Sequence, residues 1–560
     1  MKEKVLVCTA WPYANGPIHL GHIAGCYLPA DIFARYNRTK GNEVLMVSGS
    51  DQHGTPITVK AEKEGVHPAK IAERYHKQFL KSWEQLGISY DHFTRTGTDN
   101  HRKVVHDVFL KLLEKDYIFK DSMRSPFCQK CQRFLPDRYV EGTCPFCESP
   151  NARGDQCDDC GKPLNAEDLV NSQCKICGAT PEIHETEHYF LRLTAFNDKL
   201  LEWIKTKKYF KPNVYHFTKQ YLKDGLKNRA ITRDISWGVD IPIEGCETKR
   251  IYVWFEAVIG YLSASKEWAE NSGDPEKWRE YWQDKNVKTY YFIGKDNIPF
   301  HTIIWPAMLM AYEGLSLPYE VPSNEFLTLE GKQFSTSRNW ALWLSDYLER
   351  YDPDPLRYLL SINMPETNDA DFSWYEFYRR NNNELVAAYG NLVHRTLTFT
   401  FKKFDKVVPE PGELEDKDRE ILDLAKKTLA DMDESLKLCK FKEAIRSAMS
   451  LAHESNKYLE VTSPWKEIKE NPKRAATSLY VAINLINALK TALYPFLPFS
   501  SIKLHGLLGY EDEIESHGWK FEEIPAGQNL RKPKPLFKKL EEEIIEEEME
   551  RIKEQSISKE

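Results

Sequence analysis

Two histidines and eight cysteines mark where this chain could do chemistry. His19-Leu20-Gly21-His22 follows an apolar run, Val5-Leu6-Val7-Cys8-Thr9, and a loop containing Pro12, Gly16 and Pro17. A strand, a tight loop and a helix start in that order make an anion site. The first backbone N–H groups of the helix are unpaired, its dipole adds partial positive charge, and imidazoles can donate to a phosphate chain. Gly21 would let a bulky planar group approach the backbone. The eight cysteines form four Cys-x-x-Cys pairs, Cys128/Cys131, Cys144/Cys147, Cys157/Cys160 and Cys174/Cys177, enough thiolates for two closed tetrahedral Zn²⁺ sites of structural type. Spacing alone makes those sites sequential, the first two pairs sharing one ion and the last two the other. A redox role is the weaker reading, since a dithiol motif in an oxidoreductase comes once and at a helix start. Cys8, Cys26, Cys246 and Cys439 read as packing residues.

The surrounding elements must hold these groups. At 560 residues the chain exceeds what one core serves, so three or more domains are expected, with a large first one. The net charge is -7, but residues 541–560 hold nine Glu against three Lys or Arg, so the body is nearly neutral and a local basic stripe could still bind nucleic acid. No charged segment followed by an apolar one opens the chain and no apolar run reaches bilayer length, which predicts a cytoplasmic protein whose cysteines bind metal rather than form disulfides. Residues 20–40 read as a helix stopped by Gly41 and residues 43–48 as a buried strand, a βαβ unit of a parallel α/β sheet. Ser48-Gly49-Ser50-Asp51-Gln52-His53-Gly54 then falls at a strand's carboxyl end, where such sheets bind ligands. The cysteine-rich stretch interrupts this pattern. It resumes at Ile251-Tyr252-Val253-Trp254-Phe255-Glu256-Ala257-Val258-Ile259-Gly260-Tyr261 and at Tyr290-Tyr291-Phe292-Ile293-Gly294-Lys295-Asp296. From about residue 381 apolar stripes at helical spacing predict a bundle, and the last twenty residues read as a charged, solvated tail.

The opening motif resembles the His-(Ile/Leu)-Gly-His signature of class I aminoacyl-tRNA synthetases, and Pro12-Tyr13-Ala14-Asn15-Gly16 before it is similar to the methionyl-tRNA synthetase family. Gln333-Phe334-Ser335-Thr336-Ser337 resembles the second signature of that class, Lys-Met-Ser-Lys-Ser, with Gln333 and Thr336 where the family has lysines. Lysines there bind the β- and γ-phosphates, so Lys332, Arg338 or Lys295 must offset their loss, or activation is slower. The resemblance implies that His19, His22, Lys332, Ser335, Thr336, Ser337 and Arg338 act in catalysis. It implies that Gly21, Gly294, Lys295, Asp296 and Thr336, with the histidines, bind ATP. Ala10, Trp11, Tyr13, Trp254, Ala257, Val258, Tyr261 and His301 would line a methionine pocket, the Trp11 backbone and the Tyr261 hydroxyl facing sulfur, with Asp51 on the amino group and Arg233 balancing charge. Val258 stands where some members have proline. Asn391, Arg395 and Trp465 would read the anticodon by stacking and hydrogen bonds. The resemblance also argues for nested zinc sites, Cys144, Cys147, Cys157 and Cys160 inside Cys128, Cys131, Cys174 and Cys177.

On this reading a Rossmann-like sheet (1–120 and 231–324) is split by a connective insertion (121–230, zinc knuckles at about 125–183). A mobile signature loop and stem-contact region (325–385), a helical anticodon-binding domain (386–539) and an acidic tail (540–560) follow. The implied reaction joins methionine to ATP with Mg²⁺, releases pyrophosphate and passes methionine to tRNA(Met), elongator and initiator. The partners are tRNA(Met), methionine and ATP, with no membrane, and the lack of an appended dimerisation module predicts a monomer. Two rivals stand beside it. A synthetase for Leu, Ile or Val would carry a large editing insertion rather than a short cysteine-rich one, and an RNA-binding paralogue without catalysis finds support only in Gln333 and Thr336.

Overall fold

The computed structural model describes all residues except Met1, Asn151, Asp155, Gln156, Asp158, Asp159, residues 161–163, Asn165, residues 336–338 and residues 558–560. Five parallel strands form the central sheet. β1 (Lys4–Thr9), β2 (Glu43–Ser50), β3 (His92–Arg95), β6 (Lys288–Gly294) and β7 (Ser323–Asn324) lie in the order β7-β6-β1-β2-β3. β1 and β6, adjacent in the sheet, come from the two ends of a split domain, with Val5 opposite Lys288 and Thr9 opposite Phe292. The strand order reverses between them, so their carboxyl ends open onto a crevice.

After β1 the chain enters helix α1, which begins as Leu20–His22, passes through a π-helical turn at Ile23–Tyr27 and continues as Leu28–Thr39. β2 leads through Asp51 to α2 (Thr55–Glu64) and α3 (Pro68–Leu86), and β3 to α4 (Asp99–Glu114). The insertion leaves on β4 (Ile118–Cys128) and returns on β5 (Glu182–Leu191), an antiparallel pair in register from Ile118 opposite Leu191 to Phe127 opposite Glu182. Its tip folds back onto α2, where Tyr139 donates from its hydroxyl to Thr58 Oγ1 (2.8 Å) and Arg133 pairs with Glu62 (3.0 Å). Helix α5 (Val253–Asn271) crosses one face of the sheet and precedes β6.

Beyond the sheet, α6 (Trp305–Tyr312), β8 (Leu327–Leu329), α7 (Pro353–Ile362) and α8 (Trp374–Arg380) lead into a π-helical stretch, Asn381–Gly390, and the bundle. The bundle is built from α9 (Asn391–Lys403), α10 (Asp416–Lys437), α11 (Phe441–Thr462) and α12 (Pro472–Leu493). α12 is buried along nearly its whole length, and the polar residues it buries have partners: Asn484 donates to Tyr480 O, Asn487 to Glu522 O, and Lys490 lies 3.2 Å from His505 Nδ1.

The tail departs from the expectation of a solvated segment. Residues Ile544–Ile557 form a docked helix, α13. Arg350 donates twice to the Glu548 carboxylate at 2.8 Å and Tyr351 donates to it at 2.9 Å, while Ile552, one turn on, is buried. A run of glutamates hides this because only one face needs partners.

A buried carboxylate joins the two halves of the molecule. Asp31 on α1 accepts from Arg35 (2.9 Å) and from Arg357 on α7 (2.7 Å), and its other oxygen accepts from the backbone and hydroxyl of Ser89 (2.8 and 2.6 Å). Arg357, fully buried, also donates to the carbonyls of Leu86, Pro495 and Phe496. Burial alone would raise the Asp31 pKa, but the two guanidiniums and Ser89 bring it down to about 2. A depressed carboxylate contributes stability that is complete above its unfolded-state pKa and is lost as pH falls toward 2. Arg357→Met should lower unfolding stability by about 3 kcal/mol, because it leaves a buried carboxylate short of one partner. Urea unfolding at pH 7 checks this, and at pH 3 the loss should be smaller.

Candidate active site

The histidine motif sits at the carboxyl end of β1, and its hydrogen bonds settle its protonation. Gly21 N–H donates to His19 Nδ1 (3.1 Å) and His19 N–H donates to His22 Nδ1 (3.3 Å). Burial, and next the neighbouring His22, lower the His19 pKa well below the usual imidazole value. With Nδ1 accepting in both neutral rings, the proton sits on Nε2 in each. The ring centres lie 3.7 Å apart with 30° between their planes. The motif therefore offers two neutral N–H donors beside a helix start, where a phosphate gains from dipole and hydrogen bond together.

The second signature closes on the first. Leu20 N–H donates to Leu342 O and Leu344 N–H to Ile18 O, while the Phe334 ring lies on His19 at 4.7 Å with 6° between planes. Ser335 and Trp340 exchange backbone hydrogen bonds (2.9 and 3.0 Å), pinching the loop at its neck. Thr336, Ser337 and Arg338 lie outside the described residues. Lys332 is exposed and sits 4.7 Å from the Trp340 ring centre. Lys295, expected on the phosphates, is held by Glu325 (2.9 Å) and Asp369 (3.1 Å), whereas Lys332 lies against the Trp340 ring rather than a carboxylate. Gly294 and Asp296 flank Lys295 at the end of β6.

The expected methionine residues come together beside this crevice. Asp51 N–H donates to Pro12 O and Ala14 N–H to Asp51 O (both 2.8 Å), tying the two loops, and Ala10 N–H donates to Phe292 O (3.0 Å). Asp51 is 3% exposed and accepts from His53 N–H (3.1 Å); burial first, and the nearby Glu256 next, hold its carboxyl well above the ordinary pKa. Trp254 Nε1 donates to the Tyr13 hydroxyl (2.9 Å). His301 Nδ1 is 2.9 Å from Asn297 O and its Nε2 is 2.7 Å from the Tyr261 hydroxyl. Burial lowers His301 to about 4, so the neutral ring donates through Nδ1 and accepts from Tyr261. The hydroxyl proton expected to face sulfur is thus committed to His301. Ala257 is half-buried on α5, whereas Val258 packs into the core, and Arg233 lies on the Tyr252 ring (3.8 Å) and donates to Ala230 O and Thr232 O.

Sequence reasoning missed the slot that holds Trp11. A Cβ on Gly49 would meet the Trp11 ring at 2.4 Å and one on Gly260 would meet it at 2.7 Å, so both glycines are needed for the indole. A glycine inside a strand and another inside a helix, each costing stability where it stands, were the available signals. Phe334 was missed as well, because stacking across two loops leaves no spacing pattern.

The cysteines group as nested sets. Cys128, Cys131, Cys174 and Cys177 have ligand atoms within 4.8 Å of one another, and so do Cys144, Cys147, Cys157 and Cys160; the sequential pairing that spacing suggested does not form. The antiparallel pairing of β4 and β5 brings the outer pairs together. Cys131 N–H and Phe146 N–H point at Cys128 Sγ and Cys144 Sγ (both 3.4 Å), the outer hydrogen bonds that thiolate ligands take. Four sulfurs in each set fit Zn²⁺. On the bundle, Asn391 is exposed and the Arg395 guanidinium stacks on Trp465 at 4.4 Å, after a left-handed Ser463 (φ 38°) and Pro464.

Comparison with known proteins agrees with this geometry. The family described as tRNA synthetases class I (M) matches residues 5–397, and the anticodon binding domain of methionyl tRNA ligase matches residues 408–556. A methionine–tRNA ligase of Dehalococcoides mccartyi is 58% identical over 552 residues, covering 99% of this chain and 100% of the relative. One from Thermomicrobium roseum is 52% identical over 583 residues with the same coverage. The structure of Mycobacterium tuberculosis methionyl-tRNA synthetase in complex with methionyl-adenylate superposes with a TM-score of 0.79 at 26% identity, covering 96% of this chain and 99% of that one.

Two tests follow. Gly260→Ala should push Trp11 out of its slot and raise the KM for methionine about tenfold with less effect on ATP, since losing one well-placed apolar contact costs roughly 1–3 kcal/mol; steady-state kinetics read this directly. Cys174→Ser should remove one zinc of two and spare the ion of the Cys144 set, as metal analysis of the purified variant would report.

Proposed function

The chain belongs to the class I methionyl-tRNA synthetases and catalyses methionine–tRNA ligation, and from that premise we propose how its own residues divide the work. The observation that carries the reading is the stacking of Phe334 of the second signature on His19 of the first at the crevice between β1 and β6, with Asp51 buried beside it.

Methionine binds with its ammonium on Asp51 and its side chain among Ala10, Trp11, Tyr13, Trp254, Ala257, Tyr261 and His301. A carboxylate oxygen of methionine attacks the α-phosphorus of ATP, and the bond to pyrophosphate breaks. No side chain forms a covalent intermediate, so the protein aligns the reactants and stabilises developing charge. His19 and His22 donate through Nε2 to the phosphate oxygens. Lys332, Ser335, Thr336, Ser337 and Arg338 hold the departing pyrophosphate, with Lys332 and Arg338 in place of the lysines the family has at Gln333 and Thr336. Mg²⁺ carried by ATP would neutralise phosphate charge. In the second step the terminal adenosine hydroxyl of the tRNA attacks the methionyl carbonyl and AMP leaves. Asn391, Arg395 and Trp465 read the anticodon, Trp465 offering a face for base stacking and Arg395 donors to base edges.

The two cysteine sets hold structural Zn²⁺ and take no part in either step. Their support is the contact of the insertion with α2, the helix that follows Asp51. The reading includes tRNA(Met) of both elongator and initiator type, action in the cytoplasm, where charged tRNA is consumed, and a monomeric enzyme.

The test separates the two steps. The purified protein should exchange pyrophosphate into ATP with methionine and not with leucine or isoleucine. Trp465→Ala should leave that exchange unchanged and cut aminoacylation of tRNA(Met) by about tenfold to a hundredfold, the range for losing one base stack of roughly 1–3 kcal/mol. Equal loss of both activities would refute the assignment of Trp465.

A further inference from the structure

Helix α5 presents a second layer behind the methionine pocket. Glu256, Gly260 and Ser263 fall at i, i+4 and i+7 on one face. Gly260 receives the Trp11 indole and Ser263 Oγ is 2.8 Å from His101 Nδ1. Glu256 is completely buried and holds two imidazoles at once, with His53 Nδ1 at 2.9 and 3.0 Å from its two oxygens and His101 Nε2 at 3.3 Å. His53 also donates its backbone N–H to Asp51 Oδ1 (3.1 Å). One residue therefore touches both buried carboxylates, and Asp51 and Glu256 influence each other electrostatically.

A carboxylate buried in an otherwise apolar helix run costs stability that a leucine would not. The charge is explained by what lies in front of it. His53 Nδ1 lies within hydrogen-bond distance of both Glu256 oxygens and His101 Nε2 approaches one of them at 3.3 Å, so the floor of the pocket carries Asp51 with a second carboxylate behind it. The only cation the reaction brings to that place is the ammonium of the amino acid.

We propose that Glu256 is a positioning residue for methionine recognition: through His53 it fixes the Asp51 loop against α5, and its buried charge adds to the attraction for the substrate ammonium. This rests on the reading of Asp51 as the ammonium partner. The role belongs to binding rather than chemistry, because the ammonium charge does not change along the reaction.

Glu256→Gln is the discriminating variant, since the amide oxygen can still accept from His53 Nδ1–H while the charge is gone. At a separation of several ångströms in a partly buried site, loss of one charge should raise the KM for methionine about tenfold, with kcat and the KM for ATP within about twofold. Inhibition by methioninol, which keeps the ammonium, should weaken by the same factor, and Glu256→Asp should recover most of the loss. A merely structural carboxylate would give Glu256→Gln an unchanged KM, and that result overturns the proposal. A fall in kcat with KM unchanged overturns it too. Asp51→Asn, measured alongside, identifies what failed. A raised KM in Asp51→Asn with a silent Glu256→Gln sinks the proposal alone, whereas silence in both sinks the Asp51 reading and the proposal with it. If Glu256→Gln does not fold, His53→Ala decides, because it cuts the link between Glu256 and the Asp51 loop: a raised KM for methionine with kcat within about twofold supports the proposal, and an unchanged KM overturns it.

Discussion

The Asp31 carboxylate is the constraint on which the rest of the architecture depends. It is fully buried, and four donors from three segments converge on it: Arg35 on α1, Ser89 after α3, and Arg357 on α7. Arg357 in turn caps the carbonyls of Pro495 and Phe496 at the end of α12. Removing any partner would strand a charge in the interior, so the sheet, the α7 region and the bundle are held to one relative arrangement. That arrangement fixes how far the crevice lies from the bundle surface that carries Arg395 and Trp465.

Charge is handled differently at each part of the crevice. At the end of β1 the two imidazoles are held neutral by burial and oriented by backbone N–H groups, so they sit side by side without charge repulsion. The loop that brings positive charge is exposed at Lys332 and closes by stacking Phe334 on His19. Cationic groups placed permanently in that cleft would pair with local carboxylates, as Lys295 does with Glu325 and Asp369. Keeping the charge on a segment that docks through an aromatic ring avoids that competition.

The parts legible in the sequence were those whose chemistry is local. The histidine motif, the cysteine pairs and the alternation of strands and helices all lie within short windows, whereas the residues expected around methionine were named by their resemblance to a family and are scattered over loops and two helices. What stayed hidden depends on contacts between distant segments. Glu256 looks like one more residue in an apolar helix until His53 and His101 are folded against it. Gly260 reads as a helix weakness until Trp11 occupies it. Cysteine spacing alone favoured neighbours; the nested sets expected from the family resemblance are the ones that form, because the long β4–β5 pairing brings the first pair to the last. Glu548 is indistinguishable from the glutamates around it, because only Arg350 and Tyr351, nearly two hundred residues earlier, make it an interior residue.

The adjacency of β1 and β6 also has a consequence for synthesis. β1 is synthesised well before its neighbour Lys288–Gly294, which arrives only after the whole cysteine-rich insertion and α5 have been made. Until then one edge of an apolar strand, Val5-Leu6-Val7-Cys8, lacks its partner, and open edges of that kind recruit other strands. Such long-range pairing also slows folding, because chain entropy is lost before contacts repay it. The newborn chain must therefore shelter that edge, by holding β1 against β2 and α1 or by binding a chaperone, and slower translation of the insertion would lengthen its exposure.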